Sequence, residues 1–572
     1  MEFKILWLAA ATVVGVGVVW TIPSLAIDGL SAQSGFETKL AYPINDAHTL
    51  VAQQPPRPLD ELEDFDYWIG LCNLQAQAAD FEEARTSCEQ AIALEPKEAE
   101  AWSVHSEVLR ELEQYPEAIA SARKAQDLDP ESSFALAQEC FAFAALDQNE
   151  PALDACDRAL ALDGNWVKIS PALAWYRRGV ILAQMERFEV AVAAFDRVLL
   201  LEADDSEALA SRCEVLIQLE DYTQAIETCA QAVDGSGRWG DTSPAETWFY
   251  QGVARSRLEQ FPAAVSAFDR SIRLDNSQPQ AWQEQGIVLS RMKRYREALT
   301  SFEQAAQLQP ESSSIQLHLC STLNRLADYE TALAACQQAQ AGDGNWQEGE
   351  LARFWSEFGR SLEGNGQYEE ALAAVNRAVG IAPENITAWN NRAAVLWRLQ
   401  DYDEALRSTD RALALDEENA QAWFNRAVSL QSQGNFGPAL GAYNQAQKWA
   451  PEDANIRANR SAVLWQLRNY QGARDTALKA IELDDRSVVA WFNLGVAQAF
   501  LEDYESALAA FDRVLQLAPE SVDGLAGRGF VLARLNRNAE AMAILETVLQ
   551  SNPEHPLAQS AMEEMSAAPP RL

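Results

Sequence analysis

Histidine is almost missing from this chain: four occur in 572 residues, at His48, His105, His318 and His555. They stand far apart, and no Walker loop, nucleophile elbow, HExxH or CxxC pattern accompanies them. The expectation is therefore no catalytic residue, no cofactor, no metal ion and no enzyme. Basic residues are also scarce, 45 Lys+Arg against 84 Asp+Glu, for a formal charge of −39. Gripping a phosphate backbone needs clustered Lys and Arg, so nucleic acid is not an expected partner. What is abundant is apolar surface. Hydrophobic residues make up 48% of the chain, enough for a large core and too many for global disorder.

The apolar residues are periodic. An alanine returns at Ala84, Ala118, Ala152, Ala191, Ala225, Ala264, Ala298, Ala332, Ala371, Ala405, Ala439, Ala473, Ala507 and Ala541. Ten of the thirteen gaps are 34 residues and three are 39. With this alanine at position 20 of each unit, position 4 is often tryptophan, as in Trp68, Trp102, Trp282, Trp389 and Trp423. Position 8 is often glycine, as in Gly179, Gly252, Gly286, Gly359 and Gly495. Position 27 is Ala, Val or Ser throughout, and proline recurs at position 32, as in Pro96, Pro310 and Pro383. Positions 4, 7, 8 and 11 share one face of a first helix; 20, 24, 27 and 28 share one face of a second. Small residues at 8, 20 and 27 let the two backbones come close, while large ones at 4, 11 and 24 fill the gaps. One such hairpin cannot bury its own apolar face, so neighbours must stack in series.

This pattern resembles the tetratricopeptide repeat family, over 491 of the 572 residues. The resemblance implies an all-α, right-handed superhelical solenoid of about fourteen helix hairpins. The units would be 65–98, 99–132, 133–171, 172–205, 206–244, 245–278, 279–312, 313–351, 352–385, 386–419, 420–453, 454–487, 488–521 and 522–555. Residues 556–572 would supply a capping helix and tail.

At the amino terminus, Glu2 and Lys4 precede an uncharged stretch from Ile5 to Ile22. Pro23 ends it, and Ser24-Leu25-Ala26 offers the small residues a signal peptidase reads. Residues 1–26 thus read as a signal peptide or an uncleaved signal anchor, a hydrophobic helix of the exported or membrane-anchored bacterial type. Residues 27–64 lack helical periodicity, contain Pro55-Pro56-Arg57-Pro58, and read as a flexible linker. Either reading puts the repeats in an extracytoplasmic space, a periplasm or a lumen, secreted or held to the membrane by that segment.

Eight cysteines occur, each at position 8 or 24 and always with a mate in the same unit: Cys72 with Cys88, Cys140 with Cys156, Cys213 with Cys229, Cys320 with Cys336. In an antiparallel hairpin that turns near position 16, positions 8 and 24 face each other. A small apolar filler would often occur singly, so the pairing points to four intra-repeat disulfides. Each would contribute about 3 kcal/mol in the chain-entropy model. Disulfides persist in oxidising compartments, in agreement with export.

Three of these units carry the longer gap and a shared pattern, C-x15-C-x9-W-x8-W: Cys140, Cys156, Trp166, Trp175; then Cys213, Cys229, Trp239, Trp248; then Cys320, Cys336, Trp346, Trp355. Glycine and asparagine in the added residues supply turn geometry. Trp166, Trp239 and Trp346 are expected to fold back over the longer loop, with exposed recognition residues as the other reading.

Position 6 lies off the packed stripe and is asparagine in four consecutive units, Asn391, Asn425, Asn459 and Asn493. A carboxamide both donates and accepts, so a row of them can hold a peptide main chain. The row is similar to the asparagine ladder in the repeat domain of O-linked N-acetylglucosamine transferases. Neighbouring Asn390, Trp397, Phe424, Trp465 and Phe492 complete a polar-aromatic groove that suits extended polypeptide. The amino-terminal units instead place Asp66, Glu100, Glu107, Glu111, Glu207, Glu214 and Glu246 at such positions. Arg178 with Asp196, and Arg392 with Asp410, at positions 7 and 25, read as ion pairs within one hairpin. The expected function is a non-enzymatic scaffold or assembly factor that binds one or more proteins as extended segments. The other readings are a structural spacer, or an accessory subunit of an envelope enzyme complex such as a glycosyl-transferring one.

Overall fold

The computed structural model describes residues 64–162, 166, 170–347 and 349–567. The expected segment at 1–26 and nearly all of the linker at 27–64 lie outside the described residues. Among the described residues there are 29 helices, from Phe65–Gln77 to Pro556–Ala567, and no strand. None of these helices is long and apolar enough to cross a membrane.

Short polar residues start the helices. Asp205, Ser312, Asn385 and Ser487 each accept a hydrogen bond from the N–H three residues on, satisfying an amide that has no partner inside its helix. The turn inside each hairpin is set at position 15, where Glu113, Glu220, Gln400 and Asn536 have φ of 59°, 59°, 63° and 61°. The next N–H then reaches back five residues: Gln114 to the Leu109 carbonyl at 2.8 Å, Asp221 to Leu216 at 3.0 Å, Asp401 to Leu396 at 2.9 Å. This left-handed ending satisfies carbonyls that the helix leaves open and reverses the chain.

Inside a hairpin, positions 8 and 24 meet, and two ways of filling that slot recur. In one, glycine faces a ring. A Cβ on Gly179, Gly252 or Gly286 would fall 2.7, 2.6 or 2.6 Å from Phe195, Phe268 or Phe302. In the other, a disulfide spans the slot: Cys72–Cys88, Cys140–Cys156, Cys213–Cys229 and Cys320–Cys336, with Cα atoms 5.2, 5.2, 5.4 and 5.2 Å apart. All eight cysteines are fully buried.

The described residues fall into two compact units, 64–308 and 309–567. In the first, a continuous core runs through Leu136, Phe141, Tyr176, Phe195 and Val198, from one hairpin to the next. In the second, Trp465, Phe492, Phe511 and Leu532 do the same. Helix Pro556–Ala567 lays Leu557, Ala558 and Ala561 on Ala526, Leu545 and Val548. Successive hairpins are also tied by position 4. The indole N–H of Trp102, Trp282, Trp389 and Trp423 donates to a loop carbonyl six residues earlier at 2.8–3.1 Å. Gln559 of the last helix makes the same bond to Pro553 at 2.9 Å, so that helix stands where another unit's first helix would. The tryptophans thus act as ties to the loop more than as gap fillers.

The slot makes a direct prediction. Gly252→Ala should lower stability by roughly 1–3 kcal/mol through overpacking against Phe268, read from urea unfolding. An unchanged midpoint would mean the helices are not held at this distance.

Candidate functional site

Arginines at position 7 set the register between hairpins. Arg178 pairs with Asp157 at 2.5 Å, Arg212 with Asp196 at 2.8 Å, Arg528 with Asp512 at 2.6 Å, and Arg426 with Asp410. In each case the partner is position 25 of the preceding hairpin. The expected pairs Arg178–Asp196 and Arg392–Asp410 therefore do not form. Arg392 bonds Asn376 of the preceding hairpin at 2.7 Å, and Ser408 of its own at 2.5 Å. The reason is the direction of helical side chains, which lean toward the amino terminus and so toward the preceding unit. Once, the polarity is reversed: Arg123 at position 25 holds Glu139 at position 7, at 2.7 Å.

The position-6 asparagines are part of the same framework. Asn391, Asn425 and Asn493 each donate through Nδ2 to a main-chain carbonyl of the preceding first helix, at Ser356, Asn390 and Ala458, over 3.3, 3.1 and 2.9 Å. Asn459 departs from the row and bonds its own helix at Asn455, 2.9 Å away. One N–H of each carboxamide is thus committed to the scaffold.

Around the first two rungs the surface opens. A cleft of about 690 Å³ is lined by Asn390, Asn391 and Asn425, with Arg325, Arg360 and Arg398. A second, of about 250 Å³, is lined by Trp397, Phe424, Val428 and Asn459. Ala394, Arg398, Gln421 and Asn425 border both, so the two adjoin. Glu363 lies between them with Arg398 Nε at 3.4 Å; burial pushes its carboxyl up, and Arg398 and Arg360 pull it back. Six of the nine expected groove residues thus line these two clefts. The other three do not reach the surface. Trp465, Phe492 and Asn493 are 3%, 7% and 3% exposed. Phe492 packs edge-on to Phe511 and Trp465 stacks on Phe500, so these residues belong to the core.

The acidic positions of the amino-terminal unit divide similarly. Glu214 accepts from the Tyr250 hydroxyl at 2.6 Å, Glu207 from the Asp241 N–H at 3.0 Å, and Glu246 from Ser243 at 2.9 Å. Glu111 pairs with Arg110 at 2.6 Å, Glu107 is half-buried, and Asp66 and Glu100 are exposed.

The long loops after Cys229 and Cys336 fold back on their own units. Gly237 N–H donates to Ser206 Oγ and Gly344 N–H to Ser313 Oγ, each at 3.0 Å. Trp166 and Trp239 pack half-buried on the core, and Trp346 lies 5.1 Å from the Phe354 ring. The serine that anchors each of these two loops carries a signal that the cysteine pattern hid. Ser133, Ser206 and Ser313 are the only serines at position 1, and they open the three long units.

Where Ser313–Arg325 meets Glu350–Gly364, the contact is buried and polar. Asn324 donates to Glu357 Oε2 at 2.9 Å, Ser314 to Glu350 at 2.9 Å, and Ser361 to Asn324 at 2.9 Å. His318 sits there between Glu350 and Arg353, and burial, with Arg353, holds its imidazole down at about 3.

Models of the tetratricopeptide repeat match residues 67–133, 176–241, 356–420, 390–454, 424–488 and 462–521. Two further tetratricopeptide repeat models match 279–312 and 498–566. No curated protein matches the sequence. Among solved structures, the chain is similar to one described as the APC/C hetero-tetramer Cut9-Hcn1, at 15% identity and a TM-score of 0.43, covering 88% of this chain and 96% of that one. It is also similar to YrrB, described as a TPR protein with an unusual peptide-binding site. That match has 23% identity and a TM-score of 0.28, over 33% of this chain and 98% of that one.

Two outcomes follow from the geometry. Asn493→Ala should cost about 1–3 kcal/mol in urea unfolding, because the buried Trp465 indole N–H loses its acceptor and the Ala458 carbonyl loses one of its donors; the half-buried Asn391→Ala should cost less. Equal costs would contradict the bonding described. The folded value of His318 lies below its ordinary 6.5, so the stability from keeping it neutral is complete above pH 6.5. It is lost as pH falls from there toward 3. Unfolding midpoints measured across that range should drop less in His318→Gln than in the parent; parallel curves would be the contrary result.

Proposed function

The chain belongs to the tetratricopeptide repeat family, and on that basis we propose that it is a non-enzymatic scaffold holding other proteins as extended segments. About fourteen tandem units carry this work. The observation that supports the site is the pair of adjoining clefts at Asn390, Asn391, Trp397, Phe424, Asn425 and Asn459. A main chain needs alternating donors and acceptors, and a side chain beside it needs an apolar recess; the two clefts offer one of each. Trp465, Phe492 and Asn493 support the groove floor from within.

The scaffold works on the extracytoplasmic side, exported through residues 1–26 and tethered by 27–64. Two features support that placement independently: the apolar run of Ile5–Ile22, and cysteines paired without remainder in four buried disulfides.

A photo-crosslinking amino acid in place of Ala394, which borders both clefts, tests this in the cell of origin. Irradiation should yield an adduct with a second polypeptide, while the same group at the exposed Glu330 should not. Absence of any adduct from position 394, in well-expressed protein, would contradict the groove.

A further inference from the structure

Although the chain carries a formal charge of −39, the wall of the larger cleft holds three arginines, Arg325, Arg360 and Arg398, against one glutamate, Glu363. Elsewhere arginine is commonly neutralised by the fold, as where Arg212, Arg426 and Arg528 sit on aspartates of the preceding hairpin. In the cleft, Glu363 takes up Arg398. Arg325 and Arg360 make no close ion pair among the described residues, and Arg360 acts on Glu363 only through its field. The cleft is thus a local excess of positive charge on an acidic molecule, a setting that selects for a small anionic group and repels a long polyanion.

A second feature limits the chemistry further. Asn390 is 7% exposed and lines the same cleft, yet its Oδ1 has no donor. A buried acceptor without a partner is costly, and an incoming N–H removes that cost. Phosphate and nucleic-acid backbones bring no N–H; a peptide main chain brings one per residue. Next to Arg398, whose guanidinium lies 5.0 Å from the Trp397 ring, the adjoining recess between Trp397, Phe424 and Val428 has room for one large apolar side chain.

We infer that the groove binds an extended acidic segment of another polypeptide. Its carboxylates lie on Arg325, Arg360 and Arg398, and a neighbouring aromatic or branched side chain lies between Trp397 and Phe424. This rests on the groove reading above and names the occupant's chemistry. Planar guanidinium groups suit carboxylates because two parallel N–H donors match two oxygens.

Selection of random dodecapeptides on the immobilised full chain tests it. The expected pool is enriched in Asp and Glu beside an aromatic or branched residue. A selected peptide should lose at least tenfold in affinity when its acids become Asn and Gln, and again between low and high salt. Arg325→Gln with Arg360→Gln should lose about tenfold for the acidic peptide and little for its amide form, with an unchanged circular dichroism spectrum. Trp397→Ala should erase the apolar preference and keep the acidic one. Acidic peptides that bind the double variant as well as the parent would overturn the inference. So would an oligonucleotide that binds as tightly and is lost in the same variant. Selected peptides without acidic bias, still lost on Phe424→Ala, would overturn only the charge assignment and leave the groove standing. Failure of every peptide, together with no adduct from position 394, would remove both.

Discussion

The close approach of two helices at positions 8 and 24 is the constraint from which the rest follows. Large side chains on both helices at that point would hold them apart, and the alanine at 20 and the small residue at 27 would lose their contacts. The chain meets the constraint by a small residue on at least one helix, as Gly252 against Phe268 or Ala427 beside Tyr443, or by a disulfide, and these solutions put the same span of chain across the same gap. Once the hairpin is narrow, its two faces are wide enough only for another hairpin, and stacking becomes the sole way to bury the core.

Stacking then determines what the surface can offer. First helices are held to their predecessors by various combinations of an arginine on position 25, an asparagine on a main-chain carbonyl and an indole on a loop carbonyl. These bonds fall at fixed separations, so they hold register without needing identical sequences. At Asn391 and Asn425 they also leave the remaining side-chain atoms at the rim of the larger cleft. Asn425 serves both purposes: its Nδ2 is tied to Asn390, and its side chain lines the space outside. In the proposed groove, binding and folding would therefore draw on the same residue.

The fold was legible in the sequence because its determinants are local. The cysteine mates lie sixteen residues apart within one hairpin, where a turn is the only connection between them. The arginine pairing was not legible for a related reason. From Asp196, Arg178 is 18 residues away and Arg212 is 16, so periodicity alone cannot choose, and the lean of helical side chains decides for the next hairpin. The reach of the groove depended on a neighbour as well. Trp397 and Trp465 occupy the same place in their units, but beside Trp465 stands Phe500, where Trp397 has Ser432. Phe500 stacks on Tyr470 at 4.6 Å and covers the surface that the smaller Ser432 leaves open. Position 6 looked uniform from Asn391 to Asn493, and burial separated its members.

The most direct test is peptide mapping of the non-reduced protein by mass spectrometry, since it reads which residues face each other without reference to stability or binding. The account requires four linked pairs, Cys72 with Cys88, Cys140 with Cys156, Cys213 with Cys229 and Cys320 with Cys336. Linkages that join cysteines of different hairpins would contradict it, because positions 8 and 24 could not then be opposed.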